Sequence, residues 1–445
     1  MAKRRTSPAR ARGAAAAAGV SATTDELLLA ALEAGDPAKT GRMLVTFKEG
    51  AGAAAAKSLK TKSGMRMASA ADFEDHKVDF SAMGDADGVV FPEIGVALVS
   101  GGAAAARGMT AAVAADDADS PIHSVDPEYF MFAADVDPSD YLKGFLAAAR
   151  TISSDLHGAG AIAEAIGDVG AQVAGVTWGL AACRVPPSTR DGNGIKVAVL
   201  DTGFDLGHPE FVGRSFTTNT FVGQPVQDLH GHGTHTAGTA TGPKAPAGPI
   251  ERYGIAFRSK IFIGKVLTNS GSGTQAQILA GMNWAIANRC QVISMSLGAP
   301  VPVQPSYTAA GSAALASGCL IIAAAGNASN RPGFIAPALA PANSPTIVSV
   351  GALDSALRVA NFSCGGKVDI AGPGVNIFSS WPRPTLHNTI SGTSMATPHV
   401  AGCAALWAQT SAALRGAALR AKLIATARHL PLPPTDVGAG LVQAP

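Results

Sequence analysis

The sequence predicts an α/β protein in which a mostly parallel sheet carries helices on both faces and follows a smaller α+β domain. Three observations lead there. The chain has 445 residues, 47% apolar and 15% charged, a globular composition long enough for more than one buried core. Beyond about residue 178, short continuous apolar runs alternate with helix-like stretches, the pattern of βαβ units. Before about residue 134 the strand-like and helix-like segments are fewer and the strands alternate in polarity. A net charge of +2 carries no nucleic-acid signal, and no nucleic-acid partner is expected. No run of 18 strongly apolar residues exists, so no membrane span is expected.

Residues 1–38 open with "MAKRRTSPARARGAAAAAGVSATT". The start is basic, but "GAAAAAGV" has no Leu, Ile or Phe and makes a poor signal-peptide core. A disordered basic tail is expected, and the compartment stays open between secreted, periplasmic and cytoplasmic. Residues 39–134 read as strand ("GRMLVTFKEG"), helix ("AGAAAAKSLKTKSG"), strand ("EIGVALVSG"), helix ("AAAARGMTAAVAA") and strand ("SPIHSVDPEYFMFA"). That order fits helices on one face of an antiparallel sheet. Residues 135–177 read as a linker, with a helix at "PSDYLKGFLAAARTISSDL" and then a Gly-rich stretch.

In residues 178–445 the strands are "IKVAVLD", "KIFIGKVL", "CQVISMSLG", "GCLIIAAAG" and "TIVSVGA". Helices are expected at "QAQILAGMNWAIANR" and "YTAAGSAALAS". The five cysteines, Cys183, Cys290, Cys319, Cys364 and Cys403, form no C-x-x-C pair and read as small buried hydrophobes. In open parallel sheets the working groups lie just past the carboxyl ends of the strands, so those ends matter most.

"VAVLDTG" ends in Asp201, a carboxylate that is costly at a buried strand tip unless paired. It also suits a turn or a helix N-cap. "LIIAAAGNAS" ends in Asn327, either a left-handed turn residue or an amide donor aimed into a cleft. "SGTSMATPHVAGCAALWAQ" puts Ser394 at the start of an apolar helix, as a cap or as a nucleophile beside free N–H groups. "DLHGHGTHTAG" packs His230, His232 and His235 into six positions, a pattern open to metal binding or to a general base. No H-E-x-x-H is present, and Gly231 and Gly233 suit a turn into a helix, so no metal site is predicted. Together the strand ends supply a carboxylate, an imidazole, a hydroxyl and an amide donor, the parts that nucleophilic acyl transfer needs.

The motifs "VAVLDTGFDLGHPEF", "HGHGTHTAGTATG", "YGIAFRSKIFIGKVL", "ISMSLG", "AAAGN", "VDIAGPGVNIFSS" and "SGTSMATPHVAG" resemble those of the subtilisin-like serine proteases, the subtilases of peptidase family S8. The likeness spans about residues 178–445, and the order Asp, His, Ser is this family's. It implies a subtilisin-like peptidase domain with an Asp201–His232–Ser394 triad and an acyl-enzyme intermediate. Asn327 and the Ser394 backbone N–H would form the oxyanion hole. It also implies that Gly271, Ser272 and Gly273 on one side, and Ser296, Leu297 and Gly298 on the other, pair with an extended polypeptide substrate. Leu297 and Ile278 would line a nonpolar pocket, and His235 and His399 would support structure.

Residues 39–134 resemble the family's inhibitory propeptide, a small ferredoxin-like α+β domain, which implies a self-inhibited precursor whose own N-terminal domain is an intramolecular inhibitor. No cofactor is needed for the chemistry. "TGPKAPAGPIERYG" lacks a run of Asn and Asp, and Glu210 stands where Asp is common, so structural calcium is not predicted. "ASNRPGFIAPALAPANSP" after Asn327 has no acidic residue, which favours uncharged P1 residues. Two rivals fit less well. A G-x-S-x-G hydrolase elbow needs an acid between Ser394 and His429, where no Asp or Glu lies. An inactive binding module has no support while all four chemical residues are present.

Overall fold

The computed structural model describes residues 19–61, 63–106, 120–133 and 175–445. The expected linker helix and all but the last residues of the expected linker lie outside them. The first element corrects the expectation of a disordered tail over residues 1–38: helix α1 spans Thr24–Ala34. Its start is a capping box. The Thr23 hydroxyl accepts from the Glu26 N–H, and the Glu26 carboxylate accepts from the Thr23 N–H at 2.9 Å. Gly35, at φ 78°, stops it.

Strand β1 (Lys39–Phe47) leads to α2 (Gly52–Thr61), β2 (Met67–Ser69), β3 (Gly88–Phe91), β4 (Val96–Val99), α3 (Gly101–Ala106) and β5 (Ile122–Ala133). The strands run β5-β1-β4-β3-β2, antiparallel except for the β2–β3 pair. The sheet is therefore mixed, where the sequence reading expected it fully antiparallel. Alternation splits its side chains. Val45, Phe47, Val90, Ala97 and Val99 pack with Ala55 and Leu59 of α2 and Ala104 of α3. Leu44, Val89, Phe91, Val96 and Leu98 face the other way, into the core of the second unit. The helices thus lie on one face, as expected, and the peptidase-like unit covers the other.

The second unit begins with α4 (Trp178–Ala182) and β6 (Lys196–Asp201), then β7 (Phe216–Thr220), α5 (His232–Thr241), β8 (Lys260–Lys265), β9 (Ser272–Thr274) and α6 (Gln275–Ala287). It continues through β10 (Val292–Met295), β11 (Leu297–Gly298), α7 (Pro305–Ala316), β12 (Leu320–Ala324), β13 (Val348–Leu353) and β14 (Ile370–Pro373). A hairpin of β15 (Ile377–Ser380) and β16 (His387–Ile390) precedes α8 (Thr393–Thr410) and α9 (Gly416–Thr426).

Seven strands form one sheet in the order β14-β13-β12-β10-β6-β8-β7, every pair parallel. Successive residues of a strand serve opposite faces. Ile321 and Ala323 of β12 join Ile278, Met282 and Trp284 of α6 and Tyr307 of α7. Leu320 and Ile322 join Val400, Ala404, Leu419 and Leu423 of α8 and α9. Both faces are covered, which is why these strands read as continuous apolar runs. All five cysteines are buried free thiols.

Candidate active site

Asp201 is the last residue of β6, and His232 the first residue of α5. The Asp201 carboxylate is 1% exposed, and its Oδ1 lies 2.7 Å from His232 Nδ1, with the imidazole fully buried. The same Oδ1 accepts from the Thr202 N–H at 2.7 Å, and Oδ2 accepts from the Thr236 hydroxyl at 3.2 Å. These donors make burial of the carboxyl group tolerable and fix its direction. A proton on Nδ1 donates to Asp201 and leaves Nε2 as the acceptor of the ring.

The turn into α5 is held by Asp228, which the sequence reading passed over. Asp228 is fully buried. Its Oδ1 accepts from the N–H groups of His230 and Gly231 and from the Thr202 hydroxyl, at 3.0, 2.9 and 3.0 Å. Its Oδ2 accepts from the N–H and hydroxyl of Thr234, at 2.9 and 2.8 Å. One carboxylate thus caps the helix that starts with His232 and ties it to the residue after Asp201. Gly231 sits at φ 104° in that turn, a conformation that side chains disfavour. Lys265, opposite Asp201 on β8, is also buried. Its ammonium donates to the Thr202 carbonyl and to Asn269. Burial pushes Lys265 down to about 8, against the pull of Asp228 and Asp201.

The three histidines of "DLHGHGTHTAG" go to different partners. The His235 ring bonds the Ile377 carbonyl through Nε2 at 2.9 Å, and burial pushes its pKa down to about 3. The His230 ring stands edge-on to that of His232, centroids 6.2 Å apart. His399 bonds the Met395 carbonyl through Nδ1 at 2.8 Å and is pushed down to about 4 by burial. His235 and His399 are thus neutral packing groups at pH 7.

Ser394 lies in the first turn of α8. Its hydroxyl donates to the Ser296 carbonyl at 3.3 Å, and the Ser296 hydroxyl donates to the Ser394 carbonyl at 2.7 Å. That reciprocal pair fastens the end of β10 to the start of α8. Asn327 follows β12 and is oriented by Thr393, whose N–H and hydroxyl donate to its Oδ1 at 2.9 and 2.8 Å. Fixing Oδ1 fixes the direction of the amide nitrogen. Gly392 then gains a meaning that the sequence reading missed. A methyl group there would stand 3.1 Å from Asn327 Nδ2 and 3.6 Å from the Ser394 nitrogen. Both nitrogens therefore border one small space that glycine keeps open.

Gly271, Ser272, Gly273, Leu297 and Gly298 lie together along one strand of the N-terminal unit. On β5, Met131 pairs with Gly273, Phe132 with Ser272 and Gly298, and Ala133 with Leu297, all antiparallel. The Ala133 N–H donates to the Gly271 carbonyl at 2.8 Å. Ile278 and Leu297 belong to the same buried apolar cluster as Met131 and Ala133. Glu210 is occupied from within the chain. Its Oε1 lies 3.1 Å from His387 Nε2 and its Oε2 accepts from the Tyr253 hydroxyl. Burial pulls its carboxyl up, but the bonds from His387 and Tyr253 outweigh it and hold it below the ordinary range. Among the described residues, no helix is long and apolar enough to cross a membrane.

Comparison with known proteins gives the class. The subtilase family, Peptidase_S8, matches residues 192–440. The chain is 38% identical to subtilisin from Bacillus pumilus over 262 residues, 57% of this chain and 92% of that protein. It is 39% identical to subtilisin Savinase from Lederbergia lenta over 278 residues, 60% of this chain and 97% of that one. It is 37% identical to subtilisin E from Bacillus subtilis (strain 168) over 262 residues, 57% of this chain and 67% of that one. Fold and likeness define a serine endopeptidase acting on polypeptides. The chain belongs to the subtilase family.

Proposed function

We propose that the protein hydrolyses peptide bonds through an Asp201–His232–Ser394 triad and is made as a precursor inhibited by its own N-terminal domain. The observation that carries the triad is the buried 2.7 Å bond between Asp201 and His232 Nδ1, at the same sheet edge as Ser394 and Asn327. In the first half-reaction the Ser394 hydroxyl turns from the Ser296 carbonyl and attacks the scissile carbonyl carbon, and its proton passes to His232 Nε2. Asp201 stabilises the imidazolium that forms. The tetrahedral oxyanion takes the space beside Gly392, between Asn327 Nδ2 and the Ser394 N–H. Such a donor is worth about 2.7–4 kcal/mol in the barrier, a magnitude measured on subtilisin itself. Collapse breaks the C–N bond, and His232 gives its proton to the leaving amine. Water then attacks the acyl-enzyme with His232 again as base.

The extended substrate adds a strand between β9 and β11, using the backbone of Gly271, Ser272, Gly273, Ser296, Leu297 and Gly298. Leu297 and Ile278 give that strand an apolar pocket. The segment after Asn327 offers no carboxylate, and its Arg331 is held by Asp436 in two 2.8 Å bonds, so uncharged P1 residues are favoured. The reading as a precursor rests on β5, which occupies both edges that a substrate strand would use. No metal is needed for these steps.

A fluorophosphonate probe tests the proposal. It should label Ser394 after limited proteolysis removes the N-terminal unit, and the Ser394→Ala chain should neither label nor cleave itself. The expected loss of peptidase activity is roughly 10⁶-fold, as for the same loss in subtilisin. A folded, trimmed wild-type protein that takes no label would overturn the triad. A Ser394→Ala chain processed in the absence of other proteases would overturn self-cleavage.

A further inference from the structure

The last four residues of β5, Phe130, Met131, Phe132 and Ala133, are buried on both faces of the strand. Met131 and Ala133 point into the peptidase core with Ile278 and Leu297. Phe130 and Phe132 point the other way and are only 2% and 5% exposed. Leu27, Leu28 and Ala31 of α1 form one apolar cluster with these two rings. The buried positions of α1 are Thr24, Leu27, Leu28 and Ala31, a single stripe at helical spacing, while Leu29 on the far side is 47% exposed. The helix also reaches the peptidase unit directly. The Thr24 hydroxyl accepts from the Gln277 amide of α6 at 3.1 Å. Just ahead of α1, the Val20 carbonyl accepts from Arg42 at 3.2 Å, and Arg42 also donates to Thr274 at the end of β9.

We propose that the outer face of the cleft-bound strand is an interaction surface whose partner is the chain's own N-terminal helix, and that α1 is a second inhibitory element roofing the active-site cleft. The proposal deepens the reading of β5 as inhibitor and rests on it. Pairing with β9 and β11 holds the backbone of β5, while the cover of its outer side chains includes α1. A strand held by one face can peel away from an edge, and one sandwiched between core and helix must first lose its cover. Cutting the chain after β5 would therefore leave the inhibitor seated until α1 is also lifted or removed. The helix is self-specified for this task, with its own capping box and glycine stop, and only residues 35–38 separate it from β1.

The test compares full-length wild type with a Leu27→Asp/Leu28→Asp chain, both carrying intact Ser394. The readout is the rate of Ser394 labelling by a fluorophosphonate before any added protease. The variant should label at least about tenfold faster, since two buried leucines contribute more than the free energy of one decade. Leu29→Asp, on the exposed face, should label like wild type. If the charged pair prevents folding, a chain lacking residues 1–36 serves instead, with the same expectation. Equal labelling rates in the wild-type and altered chains would overturn the roof while leaving β5 as inhibitor. Failure of every chain to label after limited proteolysis would sink the peptidase reading, and this one with it.

Discussion

The two units bury polar side chains in different ways. In the peptidase unit, buried Asp201, Thr202, Asp228, His232, Thr234, Thr236, Thr393 and Ser394 crowd one end of the parallel sheet. There many hydrogen bonds cross from one strand end or helix start to another, as from His232 to Asp201, Gly233 to Thr202 and Ser394 to Ser296. In the N-terminal unit the buried polar residues among those described are Thr24, Thr40, Arg42, Thr46 and Glu128. Three of them form one knot: Glu128 accepts from Arg42 at 2.6 and 3.0 Å and from the Thr40 hydroxyl at 2.5 Å. Glu128 also accepts from the Ala276 N–H at 2.9 Å, at the start of α6. Apolar packing tolerates exchange of one hydrophobe for another of similar volume, whereas a buried polar network fails if a single member loses its partner. The peptidase unit therefore has motif-dense sequence, and the N-terminal unit has mainly a pattern of alternation.

After the loss of Ser394 itself, the largest expected effect sharpens this contrast on the peptidase side. Gly392→Ala adds one methyl between Asn327 Nδ2 and the Ser394 nitrogen, at 3.1 and 3.6 Å. It should reduce kcat by roughly 10²–10³-fold, the loss expected when one oxyanion donor is denied its target. KM and thermal stability should change less, because only Asn327 Nδ2 comes closer than ordinary van der Waals contact, with Met395 Sδ at 3.5 Å and the Ser394 nitrogen at 3.6 Å. Steady-state kinetics alongside a melting curve decide it. A stability loss with normal kcat would mean that the glycine serves packing alone.

What the sequence made legible follows from the same contrast. Asp201 ends a strand, Asn327 follows one, and His232 and Ser394 open helices, so motif spacing put all four near one end of the sheet, while their roles came from the family resemblance. Asp228 was harder to read. Its partners, Thr202 and Thr234, gain meaning only once the start of α5 folds against the end of β6. Gly392 could not be read as space, since a sequence records no neighbours. In the N-terminal unit, β2 and β3 went unread because three and four residues are too few to show a period. Helix α1 was different. "TTDELLLAALEAG" carries a T-x-x-E capping box and a glycine stop, but the basic, alanine-rich start drew the reading toward a tail.

The second prediction separates the units by pH. His235 and His399 are held neutral by burial, with values of about 3 and 4. Unfolded histidines bind protons below about 6.5, so the unfolded chain takes up more protons than the native one between roughly 4 and 6.5. Their stabilising effect is full above that range and is lost as pH falls through it, by up to about 1.4 kcal/mol per pH unit for each histidine. Asp205, lowered to about 2 by Arg383 against the pull of burial, loses its contribution only in the separate window below about 4. Denaturant unfolding of the peptidase unit at pH 7 and pH 4.5 should show the slope, and His235→Asn should flatten it. A slope unchanged by that substitution would place the acid sensitivity elsewhere.

The smallest expected effect lies in α1, where the contrast between units can be broken. If the N-terminal unit tolerates exchange because its packing is generic, then a polar signature such as the α1 capping box should be an exception. Thr23→Ala removes the hydroxyl that accepts from the Glu26 N–H and leaves the apolar stripe of α1 intact. The expected cost is about 1 kcal/mol of helix stability. Amide hydrogen exchange should report it as roughly fivefold faster opening of residues 27–34, with the peptidase core unchanged. Thr23→Ser, which keeps the acceptor, should restore protection. Unchanged exchange in Thr23→Ala would mean that Phe130 and Phe132 alone hold the helix in place, which would make α1 as pattern-driven as the rest of its unit.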